Sequence, residues 1–185
     1  RRPVLDEVGL FDESIRRGED WELNLRIRQA GHRVWFDPEL SVTYWPRESW
    51  LRLARQFRAT GAWRGELVRR FGRRNGIRYF APPALVLLVA LALVVGILQL
   101  TGLLSGVFSV IASVVVYLPL ALYVLLVVGV ALSPGGGGPR QRLWTLVVLP
   151  TMHLAWGLGF LGGVLRGARD TVDASRLGNR NTPLP

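Results

Sequence analysis

The sequence contains no cysteine and no lysine, and it has only two histidines. The absence of cysteine excludes a disulfide framework and any metal site built from thiolates. One imidazole without partners does not make a metal site, so His32 is not interpreted as a ligand. The sequence therefore indicates neither sulfur chemistry nor a histidine metal centre.

Charged residues are nearly absent from the second half of the chain, where residues 81–165 carry only Arg140 and Arg142. The net charge is nevertheless +10, and all 23 basic residues are arginines. Some soluble nucleic-acid binders are equally basic. Here the arginines gather directly before an apolar segment, which favours anionic lipid headgroups as their partner. We therefore predict a membrane protein that does not bind nucleic acid.

Three apolar segments cover about residues 81–100, 107–132 and 143–165, and none contains a charged residue. Each reaches the roughly 20 residues that a helix needs to cross a bilayer. They predict an all-α transmembrane region, in which a cluster of glycines (Gly157, Gly159, Gly162 and Gly163) indicates close helix contact. His153 is interpreted as a hydrogen-bonding residue inside the bundle. A transporter or channel is disfavoured, because no ionisable pathway follows the spans.

The arginines also predict the orientation of the chain. They precede the first span and occupy the second loop, which places residues 1–80 in the cytoplasm, on an inner or plasma membrane. Residues 166–185 are predicted to be a polar, disordered tail. Three crossings would put this tail outside, yet it carries Arg166, Arg169, Arg176 and Arg180. Either the first module dominates the orientation, or one apolar segment does not cross.

Residues 47–80 separate an apolar arc from an arginine-rich side when they are placed on a helical wheel. Arginine-rich helices that carry tryptophan are typical of the membrane interface. We predict interfacial amphipathic helices here, with a break or bend at Gly61. The alternative is a solvated surface helix of a soluble domain.

Residues 1–46 predict a mixed α/β segment. A short helix ends at Gly9, and a second helix begins after Gly18 and stops at Gly31. Residues 34–36 are predicted to form a strand that ends before Pro38, and residues 39–45 are predicted to form a second strand or an extended run. The second helix begins with three acidic residues, Glu19, Asp20 and Glu22, which the helix dipole alone would also favour.

The order of these motifs resembles family 2 glycosyltransferases. Residues 9–13 fit the pattern G-x-F-D-E, residues 19–26 fit E-D-x-E-L-x-x-R, and residues 31–34 fit G-x-x-V. Residues 44–64 are similar to the membrane-bound exopolysaccharide (succinoglycan-type) members. The resemblance implies an α/β remnant, the C-terminal part of a GT-A catalytic domain, over residues 1–46. The interfacial helices and the membrane region would follow it.

The resemblance also implies site residues. Asp20 would be the general base, a role that suits a carboxylate close to an acceptor hydroxyl. Glu19 would be its neighbour, whose like charge raises the pKa of the base. The candidate substrate-binding residues are Glu22, Gln56, Arg58, Trp63 and Arg64. The spacing from Gln56 to Trp63 departs from the Q-x-x-R-W motif of processive relatives, so the resemblance does not extend to processive synthesis.

The D-x-D motif that binds metal and diphosphate in this family does not occur in the sequence. A divalent metal, Mg²⁺ or Mn²⁺, is therefore expected only through a missing half, and none is expected on this chain alone. We predict an incomplete and by itself inactive portion of an inverting transferase. Its substrates would be a nucleotide sugar and a lipid-linked or polysaccharide acceptor, and other polysaccharide-assembly proteins of the cell envelope would be its partners. The alternative is a small basic membrane protein that acts as a scaffold or assembly partner.

Overall fold

The computed structural model describes residues 2–43, 49–72, 76–135 and 137–168. Within these ranges all regular structure is helical. The helices are α1 (Arg2–Val8), α2 (Glu19–Gln29), α3 (Trp50–Phe71), a 3-10 helix (Ile77–Phe80), α4 (Ala81–Leu100), α5 (Gly106–Leu132) and α6 (Pro139–Arg166). The helices α4, with the 3-10 turn before it, α5 and α6 are long and apolar enough to cross a membrane.

The prediction of an α/β remnant of a GT-A domain is wrong, because no strand forms among the described residues. Residues 34–36 are irregular, and their side chains are exposed, with Trp35 at 89% and Phe36 at 83%. Residues 39–43 are also irregular, and residues 44 and 45 lie outside the described part. Strand-forming residues make a sheet only where a partner strand and a packed face exist. The described residues supply neither.

Helix α2 begins and ends where the glycines predicted. Gly18 precedes it with a φ of 84°, and Gly31 follows it with the same value. Only glycine adopts this left-handed conformation without strain. A side chain at Gly18 would meet Leu67 of α3, so this turn also brings the start of α2 against the third helix.

Helix α3 is one uninterrupted helix of 22 residues, so no break forms at Gly61, which was one of the two predicted alternatives there. The helix starts at Ser49, whose Oγ accepts a hydrogen bond from the backbone N–H of Arg52 at 3.3 Å. Gly61 does not break the helix, because its missing side chain is used for packing. A Cβ there would overlap the backbone of α6.

Helices α3 and α6 run side by side in the same direction, and glycines bring their backbones together. A Cβ at any of four positions would overlap a backbone carbonyl of the facing helix. The facing pairs are Gly61 with Trp156, Gly65 with Phe160, Gly159 with Arg58, and Gly163 with Ala62. We call these four glycines the glycine interface. It confirms the predicted close contact at Gly159 and Gly163, whereas Gly162 faces open space.

Helices α4 and α5 form an antiparallel hairpin. Gln99 Nε2 donates hydrogen bonds to Ser109 Oγ at 2.9 Å and to Ser113 Oγ at 2.8 Å. Further from the turn, Tyr117 Oη donates to the carbonyl oxygen of Ala92 at 3.2 Å. Most apolar side chains of the hairpin point outward and are exposed. This surface fits contact with lipid.

Candidate functional site

Glu19 and Asp20 lie in the first turn of α2, and both side chains are exposed. Their carboxylates sit at the positive end of the helix dipole, where acidic side chains stabilise a helix. The turn at Gly18 holds this end of α2 near Leu67 of α3. The predicted base and its neighbour are therefore accessible at a fixed position beside the third helix.

Glu22, the third acidic residue, is only 2% exposed and is paired with Arg26. Its two carboxylate oxygens accept from Arg26 at 2.7 and 2.9 Å. Arg26 also donates to the carbonyl oxygens of Val8 and, at 2.7 Å, of Leu10. The hydrogen bonds to Glu22 raise the pKa of the Arg26 guanidinium further. Glu22 and Arg26 are the second Glu and the Arg of the E-D-x-E-L-x-x-R pattern. Their contacts connect α2 to the loop after α1.

Asp12 belongs to the same loop, in the G-x-F-D-E part of the pattern. Its Oδ1 accepts the backbone N–H of Ser14 at 2.8 Å. Hydrogen bonds from Ser14 hold the pKa of the Asp12 carboxyl below its usual value, and the charges of Arg70 and Arg26 add to this effect. The Asp12 side chain is therefore charged and stabilises the loop. Its Oδ2 lies 3.6 Å from Nη1 of Arg70 in α3.

Arg64 of α3 is enclosed by two aromatic rings. Its guanidinium carbon lies 4.2 Å from the ring centroid of Trp21 in α2 and 4.2 Å from that of Tyr79. Cation–π attraction favours this position. Burial lowers the pKa of Arg64, and the nearby groups of Tyr79 and Asp20 oppose that change. Because Trp21 directly follows Asp20 in the chain, its contact with Arg64 brings the backbone of Asp20 close to this second predicted site residue.

The Nη1 atom of Arg64 is buried and finds no hydrogen-bond partner within the described ranges. A second arginine, Arg78, lies 5.0 Å from the centroid of the same Tyr79 ring, and its charge lowers the pKa of Arg64. Two cations beside one ring favour an anion next to them. This corner is therefore chemically suited to a phosphate or carboxylate.

A groove of about 210 Å³ opens beside this corner, between α3, the start of α4 and α6. We call it the aromatic groove. It is lined by Phe57, Arg78, Tyr79, Pro82, Met152, His153 and Trp156. A second cavity of about 140 Å³ shares Pro82 and His153 with it and extends to Tyr123 of α5. His153 Nδ1 lies 2.9 Å from Tyr123 Oη, which confirms the predicted hydrogen bond inside the bundle.

The other predicted site residues lie in different environments. Trp63 is 2% exposed and packs in a core with Ile15 and Leu67. Arg58 is exposed on α3, while its backbone carbonyl faces Gly159. Gln56 is half-buried, and its backbone carbonyl oxygen accepts a hydrogen bond from Thr60 Oγ1 at 2.9 Å. Arg58 is thus the one of these three whose side chain is open to the surroundings.

Sequence patterns missed three residues of this corner: Arg78, Tyr79 and Trp156. Tyr79 and Trp156 stack with their ring centroids 6.4 Å apart, although 77 positions separate them in the chain. The only local signal was a charged and aromatic run directly before the first apolar segment, which is typical of the membrane interface. Among the described residues, no group of three or more acidic or histidine side chains is placed to hold a metal ion.

The chain is similar to the succinoglycan biosynthesis protein ExoA of Rhizobium meliloti (strain 1021), with 29% identity over 153 residues. The match covers 83% of this chain and 42% of that protein, so the chain spans less than half of the relative's length. No family model matches the chain. No solved structure matches it.

Proposed function

We propose that this chain is the acceptor-side and membrane-anchoring portion of an inverting, family 2 glycosyltransferase of exopolysaccharide synthesis. The similarity to a succinoglycan biosynthesis protein and the motifs of residues 9–34 support this proposal. The single observation that carries it is the packing of Trp21, the residue after Asp20, against Arg64, next to the aromatic groove. Residues 1–46 then belong to the catalytic part, on the cytoplasmic side of an inner or plasma membrane.

In this proposal Asp20 takes the proton of the acceptor hydroxyl as its oxygen attacks the anomeric carbon of the donor. The bond between that carbon and the diphosphate oxygen breaks, and the nucleoside diphosphate leaves. An exposed carboxylate at a helix start can accept this proton without rearrangement of the chain. Glu19, the adjacent carboxylate, shapes the acceptor position.

The acceptor is lipid-linked, and its phosphate lies against Arg64 and Arg78. The buried Nη1 of Arg64 supplies a donor that the described protein groups leave unused. The apolar chain of the lipid then follows Phe57 and Trp156 along the aromatic groove. Arg58 and Gln56 contact the sugar side, whereas Glu22 and Trp63 act by positioning, because both are almost fully buried.

The nucleotide sugar and a divalent metal ion, Mg²⁺ or Mn²⁺, are bound in this proposal by residues that this chain does not include. The described residues do not form a site for such an ion. Such a metal, when bound there, would supply positive charge to the departing diphosphate. What this chain contributes is the base, the acceptor contacts and the membrane attachment.

The test is Asp20→Asn in the full-length protein, produced in a strain that lacks its own copy. We expect secreted polysaccharide to fall by about 10²–10⁴-fold, because a general base contributes about that factor. Protein in the membrane fraction should stay at the wild-type level. The matched control is Glu39→Gln, an exposed acid outside the motifs of residues 9–34, which should leave polysaccharide unchanged. Wild-type output from Asp20→Asn would refute the base and favour the non-enzymatic scaffold instead.

Arg64→Gln tests the acceptor corner in the same strain. Removing the caged cation should reduce polysaccharide strongly, since the lipid phosphate loses its buried partner. Arg55→Gln, an exposed arginine on the same helix, is the control and should have little effect. Equal output from both variants would show that Arg64 does not serve the acceptor.

A further inference from the structure

Helix α6 is long and apolar enough to cross a membrane, but its contacts place it elsewhere. We propose that only α4 and α5 cross the bilayer. Helix α6 lies with α3 in the membrane interface, on the same side as α1 and α2. The partner of the α3–α6 pair is thus the lipid surface of that one leaflet, and residues 166–185 stay on that side.

The α4–α5 hairpin sets the direction of the membrane crossing. Its turn spans residues 101–105, and the polar contacts from Gln99 to Ser113 lie near that turn. The start of α4 and the end of α5 therefore lie together at the opposite end of the hairpin. Two antiparallel helices of 20 and 27 residues reach across a hydrocarbon layer of about 30 Å.

Helix α6 contacts the hairpin at this open end over most of its length. Near its start, Pro139 and Leu143 line a cavity with Val128 and Leu132 of α5. In its middle, His153 reaches Tyr123 of α5, two to three turns from that helix's end.

Its last third contacts the beginning of α4. A Cβ at Gly157 would overlap the carbonyl oxygen of Pro82, and the rings of Phe80 and Phe160 lie 5.5 Å apart.

These contacts are incompatible with a third crossing. From Pro139 to Gly157 a helix advances about 27 Å, at about 1.5 Å per residue. An α6 that ran into the membrane beside α5 would carry Gly157 toward the turn of the hairpin. Instead Gly157 touches Pro82, where α4 enters the membrane. Both ends of this stretch of α6 therefore lie near the same membrane surface.

The charge of α3 leads to the same placement. The glycine interface holds Arg58 of α3 at the level of Gly159. Arg55 and Arg52 lie about one and two turns before Arg58 on the same helix. All three arginines are exposed. If this part of α6 crossed the bilayer, they would lie in hydrocarbon, which is costly for an arginine. In the interface the same side chains reach water and anionic headgroups.

The arrangement also removes a conflict in the sequence. With two crossings, the arginines of residues 166–185 lie on the same side as those before α4 and between α5 and α6. Positive charge then marks every segment on that side, and the uncharged turn at 101–105 is the segment that faces the other side.

The experiment locates Pro185 relative to the membrane in the full-length protein. Two separate fusions are made after Pro185. One carries alkaline phosphatase, which is active only outside the cytoplasm. The other carries green fluorescent protein, which becomes fluorescent only if it stays in the cytoplasm. We expect fluorescence and no phosphatase activity. Phosphatase activity without fluorescence would overturn the proposal.

A second measurement uses the absence of cysteine from this chain. Ser105→Cys and Ser175→Cys are introduced singly, with any cysteine in the rest of the protein replaced, and intact cells are treated with a membrane-impermeant maleimide. Ser105→Cys should react in intact cells. Ser175→Cys should react only after the membrane is opened. Reaction of Ser175→Cys in intact cells would show that α6 crosses.

Discussion

The α3–α6 pair and the α4–α5 hairpin are both made of two long helices, but different contacts hold them together. In the first pair, four glycines bring backbone against backbone. In the second, a few polar side chains, with Gln99 at their centre, join helices whose apolar surfaces stay exposed. Close backbone packing defines relative position sharply, whereas a lipid-facing hairpin tolerates adjustment. The candidate site lies on the closely packed pair, which carries Arg64 and Trp156.

An ion network strengthens the same difference. Glu66 of α3 is 0% exposed, and it accepts hydrogen bonds from Arg69 at 2.8 Å and from Arg70 at 2.7 Å. A side chain at Gly167, just after α6, would meet both Glu66 and Arg69. The network therefore closes the end of the α3–α6 pair. The hairpin has no charged residue with which to do the same.

The largest effect should come from Gly163→Leu, which breaks the first pair directly. The new side chain would overlap the carbonyl of Ala62, so the helices must separate. We expect a loss of about 3 kcal/mol or more in the free energy of unfolding, because overpacking against backbone cannot be relieved by side-chain motion. The measurement is thermal unfolding of the full-length protein in detergent.

The matched control for this variant is Gly162→Leu, one position earlier on the same helix. Nothing lies within 4 Å of a Cβ at Gly162, so the same substitution meets open space. It should leave the unfolding temperature close to that of the wild type. Similar losses in both variants would mean that the glycine interface does not hold the pair.

The next effect should come from Glu66→Gln. The variant leaves Arg69 and Arg70 without their shared carboxylate, and breaking a buried pair is costly. Because Arg69 is about half exposed, it can regain water, and we expect a loss of about 2 kcal/mol. Asp20→Asn is a suitable control for stability, since Asp20 is exposed. An unchanged unfolding temperature for Glu66→Gln would contradict the role of the network.

The same carboxyl group predicts a dependence on pH. Burial raises the pKa of Glu66, but hydrogen bonds and charge from Arg70 and Arg69 outweigh burial and lower it below the ordinary 4.5. Its contribution is therefore complete above about pH 4.5 and is lost as the pH falls through the lowered value. The difference in stability between wild type and Glu66→Gln should shrink below pH 4.5. A difference that grows on acidification would contradict the assigned pairing.

Local signals in the sequence predicted the ends of α2 and the apolar helices of the hairpin, because glycine conformation and hydrophobic length act within one segment. They failed where a distant segment decides. Within its own segment, Gly61 predicts a helix break, but in the structure it is a contact residue that packs against α6. The G-x-x-x-G spacing at Gly61 and Gly65, matched at Gly159 and Gly163, would have indicated the pairing. The strand prediction at residues 34–36 failed similarly, since no strand pairs with it within the described ranges.

The candidate site divides in the same way. Asp20 and Arg64 were predicted from motifs, and Arg64 gains its environment only from Trp21 and Tyr79. No local pattern predicts a cage whose walls come from two other helices. Glu22 stays a predicted substrate-binding residue, and the structure adds a pairing that the motif did not predict, because both of its carboxylate oxygens accept hydrogen bonds from Arg26.

The smallest effect should come from Gln99→Leu in the hairpin. The variant removes the hydrogen bonds to Ser109 and Ser113, but hydrogen bonds between membrane helices average only about 0.6 kcal/mol, because the separated helices find other partners. The unfolding temperature should therefore fall slightly, and Leu100→Ala, an 89% exposed position next to it, should not change it. Polysaccharide output should stay at the wild-type level, since Arg64 and the aromatic groove lie at the other end of the hairpin. A large loss of output with Gln99→Leu would show that the hairpin, and not only the α3–α6 pair, sets the geometry of the site.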